Sequence, residues 1–207
     1  MPAETITRSV TEKVKKARPG AVFFPADLLE FGEPDAIHQT FSRLAKNKIL
    51  LRLAKGIYVK PMMDPELGDL RPSLEDVAQQ IAERDKVVIR PTGAAALNKL
   101  GLSTQVPTKV VYLTNGNPKR IQVGRSTIVF KKTTHKQLAV QPETVFLAIQ
   151  ALIALRNQAD DPNIFRRLTE VLGAEKPADI RNGARLAPQR ISRILYEIAN
   201  HLEKSLI

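Results

Sequence analysis

The stretch from Glu33 to Val59 most constrains the fold, because a helical pattern runs directly into a tight hairpin. At 100° per residue, Ile37, Phe41 and Leu44 share one face of a helix, and polar side chains occupy the other face. Two short apolar strands follow, and Gly56 between them supplies the backbone freedom that a tight turn needs. The pattern predicts a helix with one buried face, followed at once by a hairpin with a basic tip.

Two shorter helical patterns precede this stretch. Apolar residues at helical spacing predict a first helix over residues 5–17, which ends at Pro19-Gly20. After a short extended segment, Pro25 suits the first turn of a second helix over residues 26–31. Helix, helix, helix and hairpin is the element order of a winged helix-turn-helix.

The rest of the chain predicts a mixed α/β region that becomes helical towards its end. Residues 63–72 are a predicted linker, and Ser73 is the predicted N-cap of the next helix. Strands are predicted at residues 87–89, 109–114, 120–124 and 126–132, and a short helix at residues 92–99. The strands at 109–114 and 120–124 are predicted to be joined as a hairpin. Helices are predicted at residues 144–155, 162–172 and 188–206.

These patterns predict an α+β fold of two domains. Residues 1–62 form a winged helix-turn-helix that we expect to fold alone, and residues 63–72 connect it to the rest. Residues 73–207 form a mixed α/β domain with C-terminal helices.

The predicted winged helix suggests DNA recognition, because an α-helix fits the major groove. The outward face of the third helix carries side chains that pair with base edges or phosphates, and the hairpin adds two cations for the backbone or the minor groove. The predicted contacts are Gln39, Ser42, Arg43, Lys46, Arg52 and Lys55. A polar helix face is more often only solvated, but the order of the elements and the basic tip favour a reading helix with a wing.

Charge points in the same direction, since 32 Lys+Arg against 21 Asp+Glu give a net charge of +11. Such a field attracts a polyanionic partner. The segment Lys86 to Pro142 holds ten basic residues and no acid. Three interpretations fit this segment. Its basic side chains form a second nucleic-acid surface, or they form a docking face for an acidic partner, or they are scattered and solvated because residues alternate between the faces of a strand. The candidates for a single patch are Lys119, Arg120, Arg125, Lys131 and Lys132.

Several function classes are disfavoured by what the sequence lacks. Without cysteine there is no disulfide, thiol nucleophile or cysteine-bound metal. The longest apolar run falls well short of the roughly 20 residues of a membrane span, and no signal peptide is visible, so we expect a cytoplasmic protein with no membrane partner. The three histidines are isolated, and the central strands lack carboxylates for a metal. We therefore predict no enzyme, no catalytic residue, no metal and no cofactor.

The N-terminal half resembles a known family. FFPADLLEFGEPDAIHQTFSRLAKNKILLRLAKGIYVKP is similar to the winged-helix domain of the AbiEi-like antitoxins, in its order of Asp-Leu, Gly, helix, Ser-Arg-Leu and Gly-Ile-Tyr. LGDLRPSLEDVAQQIAERD, PTGAAALNKLGLSTQVPTKVVYLTNG and TIVFKKT resemble the domain that follows in a subgroup of these proteins. The resemblance spans roughly Pro19 to Thr134. Asn47-Lys48 stands where the family often has a glycine, and asparagine tolerates the left-handed backbone expected there.

The resemblance implies a repressor that binds double-stranded DNA at its own promoter and is the antitoxin of a type IV toxin–antitoxin operon in phage defence by abortive infection. It also implies that a nucleotidyltransferase-like toxin is antagonised without a stable complex being required. Transferred by position, the DNA contacts fall on the same six residues. The alternative from the residues themselves is an RNA- or protein-binding adaptor that uses the basic centre without operator specificity.

Overall fold

The computed structural model describes residues 3–64, 66 and 68–205, and the chain divides into two compact units. The first unit runs as far as Lys86 and also takes in the segment Ile121–Ser126. The second unit comprises Val87–Arg120 and the residues from Thr127 onward.

The first unit is a winged helix-turn-helix with an added helix. Its helices are α1 (Ala3–Lys16), a 3-10 helix (Pro25–Phe31), α2 (Pro34–Lys46) and α3 (Leu74–Asp85). Its strands are β1 (Val22–Phe23), β2 (Leu51–Ala54), β3 (Ile57–Val59), β4 (Met62–Asp64) and β5 (Gly68–Leu70). An antiparallel sheet has the order β1-β3-β2, and the β2–β3 hairpin that follows α2 is the wing.

Apolar residues at helical spacing build the core of this unit. Val10 of α1 packs with Ile37 and Phe41 of α2, and all three are fully buried. The Phe41 ring lies 5.0 Å from the Tyr58 ring of β3, measured between centroids. The inner face of α2 is therefore anchored on both α1 and the wing sheet.

The helix α3 belongs to this unit through polar contacts as well as packing. Arg84 Nε donates to both carboxylate oxygens of Asp27, at 2.8 and 2.7 Å, and the guanidinium lies 4.2 Å from the centroid of the Phe24 ring. Gln80 accepts a hydrogen bond from the Val22 N–H at 2.8 Å and donates to the Gly20 carbonyl at 3.1 Å. These contacts tie α3 to the strand and helix that precede α2.

The division of the chain therefore differs from the predicted boundaries at residues 62 and 72. Within the predicted linker, β4 and β5 pair as an antiparallel hairpin. The helix predicted to open the second domain, α3, lies in the first unit instead. The contacts of Gln80 and Arg84 join residues 57 to 60 positions apart, which no local sequence pattern encodes.

The second unit combines a sheet with a helical C-terminal part. Its strands are β6 (Ile89–Thr92), β7 (Lys109–Thr114), β8 (Lys119–Val123) and β9 (Ser126–Lys132). Its helices are α4 (Ala94–Lys99), α5 (His135–Leu138), α6 (Glu143–Leu155), a second 3-10 helix (Arg156–Asp160), α7 (Pro162–Leu172), α8 (Pro177–Ala184) and α9 (Gln189–Lys204). Here α4, α6, α7, α8 and α9 enclose one apolar cluster, with α6 at its centre.

The sheet order is β6-β7-β9-β8, with β7 parallel to β9. The predicted hairpin between the strands at 109–114 and 120–124 is therefore wrong, because β9 lies between them. The pairing of β7 with β9 sets buried Tyr112 beside buried Phe130 and Val110 beside Ile128. In β8 the alternate residues are exposed, so the more polar strand takes the edge.

The fold class is confirmed: an α+β protein with an N-terminal winged helix-turn-helix and a helical C-terminal part. Four short features were not predicted, namely the β4–β5 hairpin, α5, the second 3-10 helix and α8. The predicted end of the last helix, residue 206, lies outside the described residues. Among the described residues, no helix is both long enough and apolar enough to cross a lipid bilayer.

Candidate nucleic-acid interface

The helix α2 separates an apolar inner face from a polar outer face. Pro34 stands in the first turn, where its missing N–H leaves no helical hydrogen bond unmade, and Asp35 complements the positive end of the helix dipole. Asp35 lies at the start of the outer face, which then carries five exposed side chains, none of them acidic: His38, Gln39, Ser42, Arg43 and Lys46. The four predicted contacts on α2 thus lie together on one face.

Within the described ranges, the predicted contact side chains on α2 have no intramolecular partners. In the part of the chain that the structure describes, Gln39, Arg43 and Lys46 make no side-chain hydrogen bond or ion pair, and the same holds for Ser42. Some other cations of this unit are paired. Lys13 pairs with Glu30 at 2.9 Å, for example. The outer face of α2 therefore keeps its donors available for a ligand.

The wing presents the remaining two predicted contacts. Cross-strand pairs join Leu51 to Val59 and Ala54 to Ile57, which leaves Lys55-Gly56 as a two-residue turn. Gly56 has φ 72°, in the left-handed region that favours glycine. Arg52 and Lys55 are exposed and, among the described residues, make no side-chain hydrogen bond or ion pair. The wing therefore holds two free cations next to α2 in the chain.

The turn between α2 and the wing shows where the left-handed residue lies. The Ile49 N–H donates to the Leu44 carbonyl at 3.0 Å, and the Lys48 N–H donates to the Ala45 carbonyl at 3.1 Å. This is the Schellman pattern, in which the residue after the C-cap is left-handed. That residue is Lys48, with φ 58°, whereas Asn47 has φ −84°. The left-handed residue is therefore Lys48 and not the asparagine before it.

Lys48 is also a basic residue that the sequence analysis missed. Its side chain is exposed and, within the described ranges, has no hydrogen bond or ion pair. The signal that would have found it is the charge pattern, since residues 36–63 contain no Asp or Glu. The positive field of this segment thus extends from α2 through the turn to the wing.

One cation of the same segment has a structural role. Lys60 Nζ donates to the carbonyls of Lys15 and Ala17, at 2.7 and 2.8 Å. A lysine there satisfies carbonyls that the end of a helix leaves without partners, and it complements the helix dipole. Lys60 therefore stabilises the end of α1 and is not a candidate contact.

The five basic residues of the predicted central patch do not share a face. Lys119 Nζ lies 5.0 Å from the centroid of the Phe130 ring, so Lys119 is on the Phe130 face of the sheet. Successive residues of a strand point to opposite faces, which places Arg120 and Lys131 on the other face and Lys132 on that of Phe130. Arg125 is exposed in the turn between β8 and β9. The predicted single patch is therefore divided between two faces.

A further central cation is buried. The Arg90 side chain donates to the carbonyls of Leu138 and Val140, at 3.0 and 2.5 Å, and its guanidinium lies 3.7 Å from the centroid of the Phe146 ring. Burial lowers the pKa of Arg90, and the charge of Glu143 opposes this shift. Arg90 thus joins β6 to the start of α6 and adds little to the surface charge.

Comparison with known proteins gives a family. A model of DUF6088, described as a family of unknown function, matches residues 9–180. The chain belongs to the DUF6088 family. No curated protein matches it. Among solved structures, it is similar to the crystal structure of the RV2827C protein from Mycobacterium tuberculosis, with 13% identity, 94% of this chain and 81% of that chain covered, and a TM-score of 0.45.

The histidines of this DUF6088 member lie apart from one another. His38 is exposed on α2, and His135 is exposed in α5. His201 lies edge-on to Phe165, with 6.5 Å between ring centroids, beside a shallow cavity of about 520 Å³ between α7 and α9. Among the described residues, no three His, Asp or Glu side chains are grouped to hold a metal ion.

Proposed function

We propose that this DUF6088 member is a cytoplasmic, sequence-specific DNA-binding repressor of its own promoter, with α2 as the reading helix. The observation that carries the proposal is the outer face of α2 from His38 to Lys46, which is exposed, free of acids and without intramolecular partners among the described residues. A face of this kind has donors ready for base edges and phosphates.

The residue types on this face suit direct readout in the major groove. Arg43 can donate two hydrogen bonds to the O6 and N7 atoms of guanine, and Gln39 can pair with the N6 and N7 atoms of adenine. Each good bidentate pair discriminates against a wrong base by about 1–3 kcal/mol. Ser42 and Lys46 suit bases or phosphates, whereas Arg52 and Lys55 of the wing suit the backbone or the minor groove.

We further propose that the protein is the antitoxin of a type IV toxin–antitoxin operon. The support is the resemblance to AbiEi-like antitoxins between Pro19 and Thr134, which covers the reading helix and the wing. In this role the protein antagonises a nucleotidyltransferase-like toxin and requires no direct complex with it. Repression of the shared promoter would then link the level of toxin to the level of antitoxin.

The repressor is tested by comparing affinities of the full chain for two duplexes at one salt concentration. One is the DNA upstream of its own reading frame, and the other is a shuffled duplex of equal length and composition. A repressor should prefer the first by about 10³-fold or more. Equal affinities would contradict the proposal and would favour an adaptor without operator specificity.

The antitoxin role is tested by expressing the neighbouring reading frame with and without this protein. We expect the neighbour to encode a nucleotidyltransferase-like toxin that arrests growth, and we expect co-expression to restore growth. The two proteins should not co-purify, which separates this mechanism from a toxin–antitoxin complex. A toxic neighbour that co-expression leaves toxic would contradict the antitoxin role and leave the DNA-binding proposal standing.

A further inference from the structure

One face of the four-stranded sheet carries exposed basic side chains from three strands. Lys131 lies on this face because it follows Phe130, which points the other way. Arg120 lies on it because Lys119 faces Phe130. Lys109 also lies on it, since its register partner Thr127 is four residues before Lys131 in β9. All three cations are exposed, and Lys109 was not among the predicted residues.

Helices cover only one half of this face. On β6, Arg90 stacks on Phe146 of α6, and Thr92 is hydrogen-bonded to Gln150 of α6 at 2.6 Å. On β7 and β9 the cover is incomplete, because Thr127 is buried but Val111 and Val129 are only partly buried and the three cations are exposed. The open half is therefore a shallow apolar strip bordered by positive charge, which we name the basic sheet face (Lys109, Arg120, Lys131, Val111 and Val129).

The cations of the basic sheet face are unpaired within the described ranges. Lys109, Arg120 and Lys131 make no side-chain hydrogen bond or ion pair there. The segment from Lys86 to Pro142, which holds all three, contains no acidic residue. Lys109 and Lys131 are about 13 Å apart along the strands, at about 3.3 Å per residue. Duplex DNA carries one negative charge per about 1.7 Å of its axis, so such a span faces several phosphates.

The same face lacks the groups that single-stranded nucleic acids require. Binding of single strands relies on aromatic side chains on which bases stack. The aromatic residues of these strands, Tyr112 and Phe130, are buried and lie on the opposite face. The exposed side chains of the basic sheet face are its cations, with exposed Gln122 beside Arg120 on β8, which suits contact with the phosphates of a duplex.

We propose that the basic sheet face binds the phosphate backbone of duplex DNA without reading its sequence. This proposal rests on the proposed function, because it assigns the same partner to a second surface of the chain. The contact adds affinity for any duplex, while the discrimination between sequences stays with α2.

Two double variants of the full chain test the proposal, each removing one cation from β8 and one from β9. Arg120→Gln with Lys131→Gln alters the basic sheet face, and Lys119→Gln with Lys132→Gln alters the opposite face by the same charge. The measurement is the slope of log affinity against log salt for the own-promoter duplex and a shuffled duplex. Melting curves confirm that both variants are folded.

Each phosphate contact contributes about 0.9 to this slope for duplex DNA. The Arg120/Lys131 variant should therefore flatten the slope by about 2 on both duplexes, and adding Lys109→Gln should flatten it by about one more. The Lys119/Lys132 variant should leave the slope unchanged. Equal flattening in both double variants, or no change in either, would overturn the proposal. It would also be overturned if the Arg120/Lys131 variant lost more affinity for a single-stranded RNA than for the duplexes.

Failure of the proposed function gives a different result. If the wild-type chain binds promoter and shuffled duplexes equally, it is not a sequence-specific repressor. The contrast between the two double variants on the shuffled duplex still decides whether the basic sheet face binds DNA.

Discussion

Exposed, closely spaced cations occur both on α2 with its wing and on β8 with β9, yet only the first region keeps its predicted contacts together. On α2, the period of 3.6 residues places Gln39, Arg43 and Lys46 on one face. On the strands, the period of two residues sends Lys119 and Arg120 to opposite faces, and likewise Lys131 and Lys132. The density of charge along the sequence therefore does not define a surface until the period of the element is known.

The two regions also differ in what supports them. The inner face of α2 is packed against α1 and the wing sheet, so the outer face is held on a rigid element. On the sheet, Lys119 lies against the Phe130 ring. Arg90 donates to backbone carbonyls and stacks on the Phe146 ring. Positive charge near an aromatic core thus has a structural use, whereas the cations on the outer face of α2 stay unpaired among the described residues.

The largest effect should come from the anchor of α2. Phe41→Ala removes a fully buried ring that contacts Tyr58, and such truncations cost about 3–5 kcal/mol. We expect that loss in the free energy of unfolding, measured by denaturant titration. Ser42→Ala, at the exposed neighbouring position, should change stability by less than about 0.5 kcal/mol. Similar values for the two variants would refute the separation of α2 into an anchoring and an exposed face.

A smaller effect should show that α3 supports the winged helix. Arg84→Ala removes the hydrogen bonds to Asp27 and the stacking on Phe24. Hydrogen bonds to charged groups contribute about 1.5–3 kcal/mol, but these side chains are partly exposed, so we expect a loss of about 1–2 kcal/mol. Arg84→Lys keeps the charge without the planar guanidinium, so its free energy of unfolding should lie between those of the wild type and Arg84→Ala. An unchanged unfolding curve for Arg84→Ala would favour the predicted boundary at residue 62.

The smallest effect concerns the turn between α2 and the wing. Lys48 holds a left-handed backbone, which costs a residue with a Cβ about 1–2 kcal/mol. Lys48→Gly should therefore raise the melting temperature, with a gain of about 1 kcal/mol in the free energy of unfolding. Asn47→Gly is the control at an ordinary backbone conformation and should lower stability. A loss of stability in Lys48→Gly would show that its backbone is unstrained.

Local pattern was enough to predict the winged helix. Ile37, Phe41 and Leu44 at helical spacing, followed by a glycine turn, specify the helix and the hairpin within about 25 residues of sequence, where short-range rules apply. The pairing of β7 with β9 and the docking of α3 could not be predicted in this way. They depend on which apolar faces meet after folding: in the sheet, buried Phe130 and Ile128 of β9 lie beside buried Tyr112 and Val110 of β7.

For the candidate site, the helix period predicted which side chains share a face, and all six predicted contacts are exposed and unpaired among the described residues. Their binding to DNA stays a prediction. Lys48 was missed because the turn was judged by its asparagine. The central patch was predicted from the proximity of its residues along a supposed hairpin, and Lys119 beside Phe130 shows that neighbours in a strand diverge.

The most direct measurement compares Arg43→Ala with Lys55→Ala on the own-promoter duplex and on a shuffled duplex at one salt concentration. If α2 reads bases and the wing binds backbone, Arg43→Ala should lose about 1–3 kcal/mol of binding free energy on the promoter and much less on the shuffled duplex. Lys55→Ala should weaken binding to both duplexes alike and flatten the salt slope by about 0.9. Equal losses on the two duplexes for Arg43→Ala would contradict the assignment of α2 as the reading helix.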